Sequence, residues 1–192
     1  MREREISLLR LSGAIAPARR LRYRRPRRRC TAALAALGVA ALASSELVHA
    51  GPRLVLNASP SAPLGLYRVA HDDPLVHGAL VLAALPESVR GLAAERGYLP
   101  LGVPLVKRVA ALAGDTVCGV GASLTIDGEV VADRLAADRR GRPLPAWEGC
   151  RTLGATEVFL LMEGVPDSFD GRYFGAVEAS SILGRLVPLW TW

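Results

Sequence analysis

The sequence predicts a mostly β domain preceded by an N-terminal membrane-anchor helix, and three observations predict it. Positive charge is gathered at one end: the first 29 residues hold 11 Arg against two Glu, whereas the remaining 163 sum to −3. The densest part of that charge, RRLRYRRPRRR at 19–29, runs directly into an apolar stretch, CTAALAALGVAALA at 30–43. Past residue 50 the chain alternates short β-rich apolar runs with Gly, Pro and Asp, which is the pattern of strands and turns.

Size and composition bound what the chain can be. At 192 residues, 51% hydrophobic and 22% charged, it holds one ordinary domain with a short appendage and enough apolar material for a core. General disorder is excluded, and a second catalytic domain does not fit.

Residues 1–29 read as an Arg-rich cytoplasmic segment, because arginine beside a hydrophobic segment is held on the cytoplasmic side, where it meets anionic lipid. A nucleic-acid binder would carry its basic charge on the folded part, so no nucleic-acid partner is expected. Residues 30–50 read as a transmembrane or signal-anchor helix. The 14 apolar residues give about 21 Å of helix against a bilayer core of about 30 Å. The helix must therefore continue through SSELVHA, with Glu46 and His49 near the outer interface. A signal peptide removed after Val48-His49-Ala50 is the alternative. Either way residues 51–192 are exported, and a Cys118–Cys150 disulfide is expected there, since two cysteines in an oxidising space tend to pair. Cys30 is left as a small apolar filler.

In the exported part, ALVLAAL at 79–85, PLVKRVAAL at 104–112 and EVFLLM at 157–162 predict strands or buried apolar runs. SLTIDGEVV at 123–131 predicts a hairpin turning at Asp127-Gly128, a pair that readily takes the positive φ values of a type I′ turn. PESVRGLAAERGYL at 86–99 is the one good helix, opened by Pro86, with Val89, Leu92, Ala93 and Arg96 at helical spacing. ADRRGRPLPAWEG at 137–149 predicts a polar surface loop. Trp190 and Trp192 read equally as core edge or interfacial anchors.

Two features carry chemistry. Among 24 basic Lys and Arg side chains there is a single lysine, Lys107, inside PLVKRVAAL. Arginine stays charged at any usable pH, whereas a buried lysine loses its proton near neutrality because desolvation penalises the ammonium. The bland alternative is a lone surface lysine in an arginine-rich composition. The second feature is NASPSAPLGLY at 57–67, in which prolines 60 and 63 restrict the backbone around Ser59 and Ser61. A serine with a neutral lysine is a nucleophile with its base. By contrast, His71, Asp72, Asp73 and His77 lie in a turn-forming HDDP context, so no metal site and no cofactor is expected. Asn57-Ala58-Ser59 fits a glycosylation acceptor only as a short motif with many false matches.

NASPSAPLGLY resembles the serine region of type I signal peptidases, and more closely that of the conjugative-transfer pilin-processing peptidases. PLVKRVAALAGDTV at 104–117 resembles the family's lysine segment, GCRTLGATEVFLL at 149–161 the strand that follows, and DSFDGRYFGAV at 167–177 its last motif. The resemblance implies an antiparallel β fold with one or two short helices, and a membrane-anchored serine endopeptidase in the bacterial inner membrane with its catalytic domain in the periplasm. It implies Ser61 as nucleophile and Lys107 as general base. Ser59 matches the serine that joins the Ser61 N–H in the oxyanion hole, and Ser168 matches the serine that orients the lysine amine. Asp170 and Arg172 match an ion pair steadying the site, with a direct catalytic part for Asp170 left open. The implied partner is an exported precursor cut after small residues, in particular a pilin-like subunit. Two departures stand out: His77-Gly78 where the family has Gly-Asp, and Gly171 where it has serine. A non-catalytic exported module of a pilus or secretion apparatus that keeps the fold is the rival reading, and a housekeeping signal peptidase the nearer one.

Overall fold

The computed structural model describes residues 31–39 and 51–192. Residues 31–39 form a helix, α1, with Leu34, Leu37 and Val39 exposed. The Arg-rich segment and the rest of the expected anchor lie outside the described residues. Among the described residues no helix is long and apolar enough to cross a membrane.

The strands in chain order are β1 (Leu54–Asn57), β2 (Gly65–Ala70), β3 (Leu80–Ala83), β4 (Leu105–Ala111), β5 (Thr116–Val120) and β6 (Ser123–Ile126). They continue as β7 (Glu129–Asp133), β8 (Gly149–Thr152), β9 (Glu157–Leu161), β10 (Val177–Glu178) and β11 (Ile182–Thr191), with helices α2 (Glu87–Glu95) and α3 (Gly171–Phe174). All pairings between them are antiparallel, in a seven-stranded sheet of order β1-β2-β11-β3-β4-β9-β10 and a four-stranded sheet of order β7-β6-β5-β8. The apolar runs expected as strands at 79–85, 104–112 and 157–162 are β3, β4 and β9, three neighbours at the centre of the larger sheet. Four of the five β9 residues are buried, which is why that run reads as continuously apolar rather than alternating.

In β4 the alternation is explicit. Leu105, Lys107, Val109 and Ala111 are buried while Arg108 is exposed, so the period of two carries Lys107 inward with the apolar residues. The 123–131 hairpin turns at Asp127 (φ 50°) and Gly128 (φ 86°), the two positive values a type I′ turn requires. Helix α2 starts after Pro86 but ends at Glu95, four residues short of the expected 99. Gly97 takes φ 72° and the Tyr98 N–H returns to the Ala93 carbonyl, which closes the helix there.

Ala111, Val117, Leu124, Leu153, Phe159 and Leu161 pack as one buried cluster contributed by both sheets. Cys118 on β5 and Cys150 on β8 are register partners and are joined by a disulfide. Every residue of β8 is exposed, so this edge strand has little apolar burial to hold it, and the disulfide closes a loop of sequence separation 32. Loop-closure entropy gives such a bond about 3–4 kcal/mol. Cys150→Ser is expected to lower the unfolding free energy by about that amount in urea titrations, and reducing the wild-type protein should reproduce the loss.

Trp190 and Trp192 are exposed and pack edge-on to each other with ring centroids 5.4 Å apart. They belong to the surface, not to the edge of the core. Leu56 and Trp190 both register with Leu66 on β2, so this end of the larger sheet carries an exposed apolar row.

Candidate active site

Three segments from distant parts of the sequence converge: the β1–β2 connection at 58–64, the middle of β4, and the β9–α3 connection at 162–170. They open on a cleft of about 580 Å³ whose walls include Val55, Leu82, Leu105, Val106 and Phe169.

The first segment is set by a residue that the sequence reading weighed on its own only as part of a short glycosylation motif. Asn57, the last residue of β1, is 5% exposed, and its amide nitrogen lies 3.0–3.1 Å from the carbonyl oxygens of Ser59, Ala62 and Pro63. Its Oδ1 accepts from the Ser59 N–H at 3.1 Å. The Tyr67 hydroxyl donates to Pro63 O at 2.7 Å from the other strand. One buried amide thus gathers the polar backbone of a loop too short for its own ladder, which satisfies groups that would be costly unpaired. The available signal was a lone polar residue closing the apolar LVL run. At the loop's exit Gly65 is required sterically, because a Cβ there would come within 2.4 Å of the Trp190 carbonyl oxygen.

On that loop Ser59 Oγ lies 3.0 Å from Ser61 Oγ, and the Ser61 N–H donates to Ser59 Oγ at 3.4 Å. Lys107 arrives from β4, paired with Val81 of β3. Its Nζ donates to Ser168 Oγ at 2.8 Å and lies 3.4 Å from Ser61 Oγ. Lys107 is 4% exposed and Ser168 2%. No carboxylate forms an ion pair with this amine among the described residues. Burial is the largest influence and pushes its pKa from 10.5 down to about 8, with Asp170 and Asp167 pulling upward and Arg172 downward.

Asp170 and Arg172 sit behind this group, fully buried. The guanidinium meets the carboxylate through two 2.9 Å contacts and also donates to the carbonyls of Met162, Val165 and Pro166. The remaining partners of Asp170 are the N–H groups of Met162 and Arg172. Its carboxylate is therefore occupied by the turn that carries Ser168, whose N–H bonds Val165 O, and not by Lys107 or Ser61. Asp170 thus braces the Ser168 turn and touches neither proposed reacting group.

Both departures from the family pattern have local reasons. A Cβ at Gly171 would meet the Leu160 carbonyl oxygen and the Phe159 ring at 2.7 Å, so no side chain fits. The His77-Gly78 turn is tied to the β4–β5 turn by His77 Nε2, 2.6 Å from Asp115 Oδ2.

The chain matches the family described as signal peptidase, peptidase S26, over residues 27–191. A plasmid transfer protein TraF from Escherichia coli is 36% identical over 165 residues, spanning 81% of this chain and 92% of that protein. A conjugal transfer protein TraF from Agrobacterium fabrum is 34% identical over 146 residues, spanning 71% and 81%. Among solved structures, a signal peptidase I from Enterococcus faecalis V583 aligns with a TM-score of 0.35 at 20% identity, over 62% of this chain and 100% of that one.

Proposed function

The chain belongs to the signal peptidase (peptidase S26) family, and on that premise we propose that it is a serine endopeptidase that cleaves exported precursor proteins through a Ser61/Lys107 dyad. The observation that carries this reading is the Lys107 amine, buried with no acidic ion-pair partner among the described residues and held between the hydroxyls of Ser61 and Ser168. Ser61 Oγ attacks the scissile carbonyl as its proton passes to neutral Lys107 Nζ, and the lysine returns that proton to the leaving amine. Water, activated by the same lysine, then releases the acyl-enzyme. The negative oxygen of each tetrahedral intermediate is received by the Ser61 N–H and, after rotation about its Cα–Cβ bond, by the Ser59 hydroxyl. Ser168 fixes the lysine's direction.

The substrate proposed is a pilin-type precursor cut after small residues. The support is that the relatives spanning most of the chain are named plasmid and conjugal transfer proteins. The proposed location is the inner membrane, with residues 1–29 cytoplasmic, 30–50 spanning, and 51–192 periplasmic. The basic run before the apolar stretch supports that topology. The exposed row of Leu56 and Trp190 supports apposition of the domain to a lipid surface.

The test is the pH dependence of precursor cleavage. Because the neutral amine is the base and its pKa is lowered to about 8, kcat/KM should rise about tenfold per pH unit below that value and level off above it. A profile flat from pH 6 to 9 would remove Lys107 from the role. Ser59→Ala should lower kcat by about 10²–10³-fold with KM nearly unchanged, as loss of one oxyanion donor does.

A further inference from the structure

A second cavity, of about 250 Å³, adjoins the cleft and shares Tyr98, Arg139, Asp167 and Phe169 with it. Residues 51–192 have a net charge of −2, yet four of their twelve arginines, Arg96, Arg139, Arg140 and Arg142, line this one cavity. Two of the four are neutralised, Arg139 by Asp167 at 2.5 Å and Arg142 by Asp138 at 2.6 Å. The Arg96 guanidinium donates to the Pro143 carbonyl, at 2.6 Å, and the Arg140 guanidinium has no hydrogen-bond partner among the described residues. Neither forms an ion pair with a described carboxylate.

The wall beneath them is aromatic. Tyr98 and Phe169 have ring centroids 5.1 Å apart, and Phe169 stacks on Tyr173 at 5.7 Å. The row runs from the shared residues into the second cavity, and Phe169 directly follows Ser168, the residue that holds Lys107. The loop bearing three of the arginines is fastened in place. Tyr98 OH donates to Asp138 at 2.5 Å, Arg142 bonds the same carboxylate, and the Arg142 guanidinium lies 5.5 Å from the centre of the Tyr98 ring. The expected surface loop at 137–149 is therefore one wall of a preformed cavity.

We propose that this cavity is a second substrate subsite that takes an acidic peptide segment of the precursor, its carboxylates on Arg96 and Arg140 and an apolar side chain between them against the aromatic row. The proposal rests on the peptidase reading for its substrate. Charge complementarity argues for acidic residues, and the shared Tyr98, Arg139, Asp167 and Phe169 argue that one precursor chain would occupy both the cleft and this cavity.

The experiment uses the full-length protein in detergent micelles and labelled synthetic peptides with an Ala-Gln-Ala cleavage site. A Glu-Leu-Glu or Gln-Leu-Gln block is placed upstream of the site in one pair and downstream in another. Binding is read by fluorescence anisotropy and cleavage by product formation. In one of the two pairs the Glu peptide should show a Kd and KM about fivefold lower than its Gln counterpart at low salt, the scale of two exposed charge pairs, and the gap should shrink at 0.5 M salt. The Arg96→Gln/Arg140→Gln double variant should bring the ratio to about one, and Arg96→Lys/Arg140→Lys should keep most of it. Equal binding of Glu and Gln peptides in both pairs overturns the proposal, as does a Glu preference that survives the double Gln variant. Loss of binding to phosphatidylglycerol vesicles in that variant, with the peptide ratio unchanged, overturns it in favour of a lipid site. If no peptide is cleaved, the catalytic reading fails, while an arginine-dependent Glu preference in anisotropy still sustains the subsite.

Discussion

Ser61→Ala and Lys107→Arg should each reduce precursor processing by on the order of 10⁴-fold or more, with the domain still folded. In the proposed mechanism the two groups act as one unit, which sets the size: without the hydroxyl there is no acyl-enzyme, and without a proton acceptor the hydroxyl is a poor nucleophile. Lys107→Arg is the sharper variant. It keeps a cation beside Ser168 but removes any base, since a guanidinium holds its proton at every usable pH. It also asks a planar fork to fit where one nitrogen lies 2.8 Å from Ser168 Oγ and 3.4 Å from Ser61 Oγ. Circular dichroism and urea midpoints of the purified variants separate lost chemistry from lost fold. Processing by Lys107→Arg at the wild-type rate would end the dyad mechanism and return the chain to the assembly-module reading.

Arg172→Leu should destabilise the protein by about 5 kcal/mol, at the upper end of what breaking a buried ion pair costs. The substitution leaves the buried Asp170 carboxylate without its guanidinium partner, and it strips a donor from the carbonyls of Met162, Val165 and Pro166. Against a typical total of 5–15 kcal/mol, such a loss unfolds a large part of the population near 37 °C. Asp170→Asn should cost less, about 3 kcal/mol, because the amide still accepts from Met162 N–H. A double-mutant cycle in urea should give a coupling of about 2 kcal/mol or more between the two residues. A loss under 1 kcal/mol for Arg172→Leu would mean that the pair does not hold the Ser168 turn.

Much of the site was legible because its signals are local. A strand's period of two carries Lys107 inward with Leu105 and Val109, so its burial follows from the pattern of its neighbours. Asp127-Gly128 announces its own turn, since the positive φ values are a property of those two residues. The serine pair, the lysine segment and the Ser168 motif are contiguous strings and could be matched as such. The helix boundary was less legible, because Gly97 closes α2 through a hydrogen bond from Tyr98 back to Ala93 rather than through any break in helical spacing. Strands β1, β2 and β11 carried no comparable signal. Leu186 pairs with Val69 and Leu54 with Arg68, and long-range ladders of that kind leave no period in either partner alone.

The sequence by itself determined the chemistry on offer: which serines and which lysine, a strand that would bury that lysine, and a family in which the combination recurs. Only the tertiary structure decided how these groups meet. It brought Lys107 to 3.4 Å from a serine 46 residues earlier and 2.8 Å from one 61 residues later. It assigned Asn57 to the serine loop and Asp170 to the Ser168 turn, and made a basic, aromatic cavity out of a loop that reads as plain surface. The reason is physical. Propensity and periodicity act between near neighbours along the chain, whereas desolvation and hydrogen bonding act between whatever packing brings together. A lysine's proton affinity and an asparagine's partners therefore exist only once the sheets have closed around them.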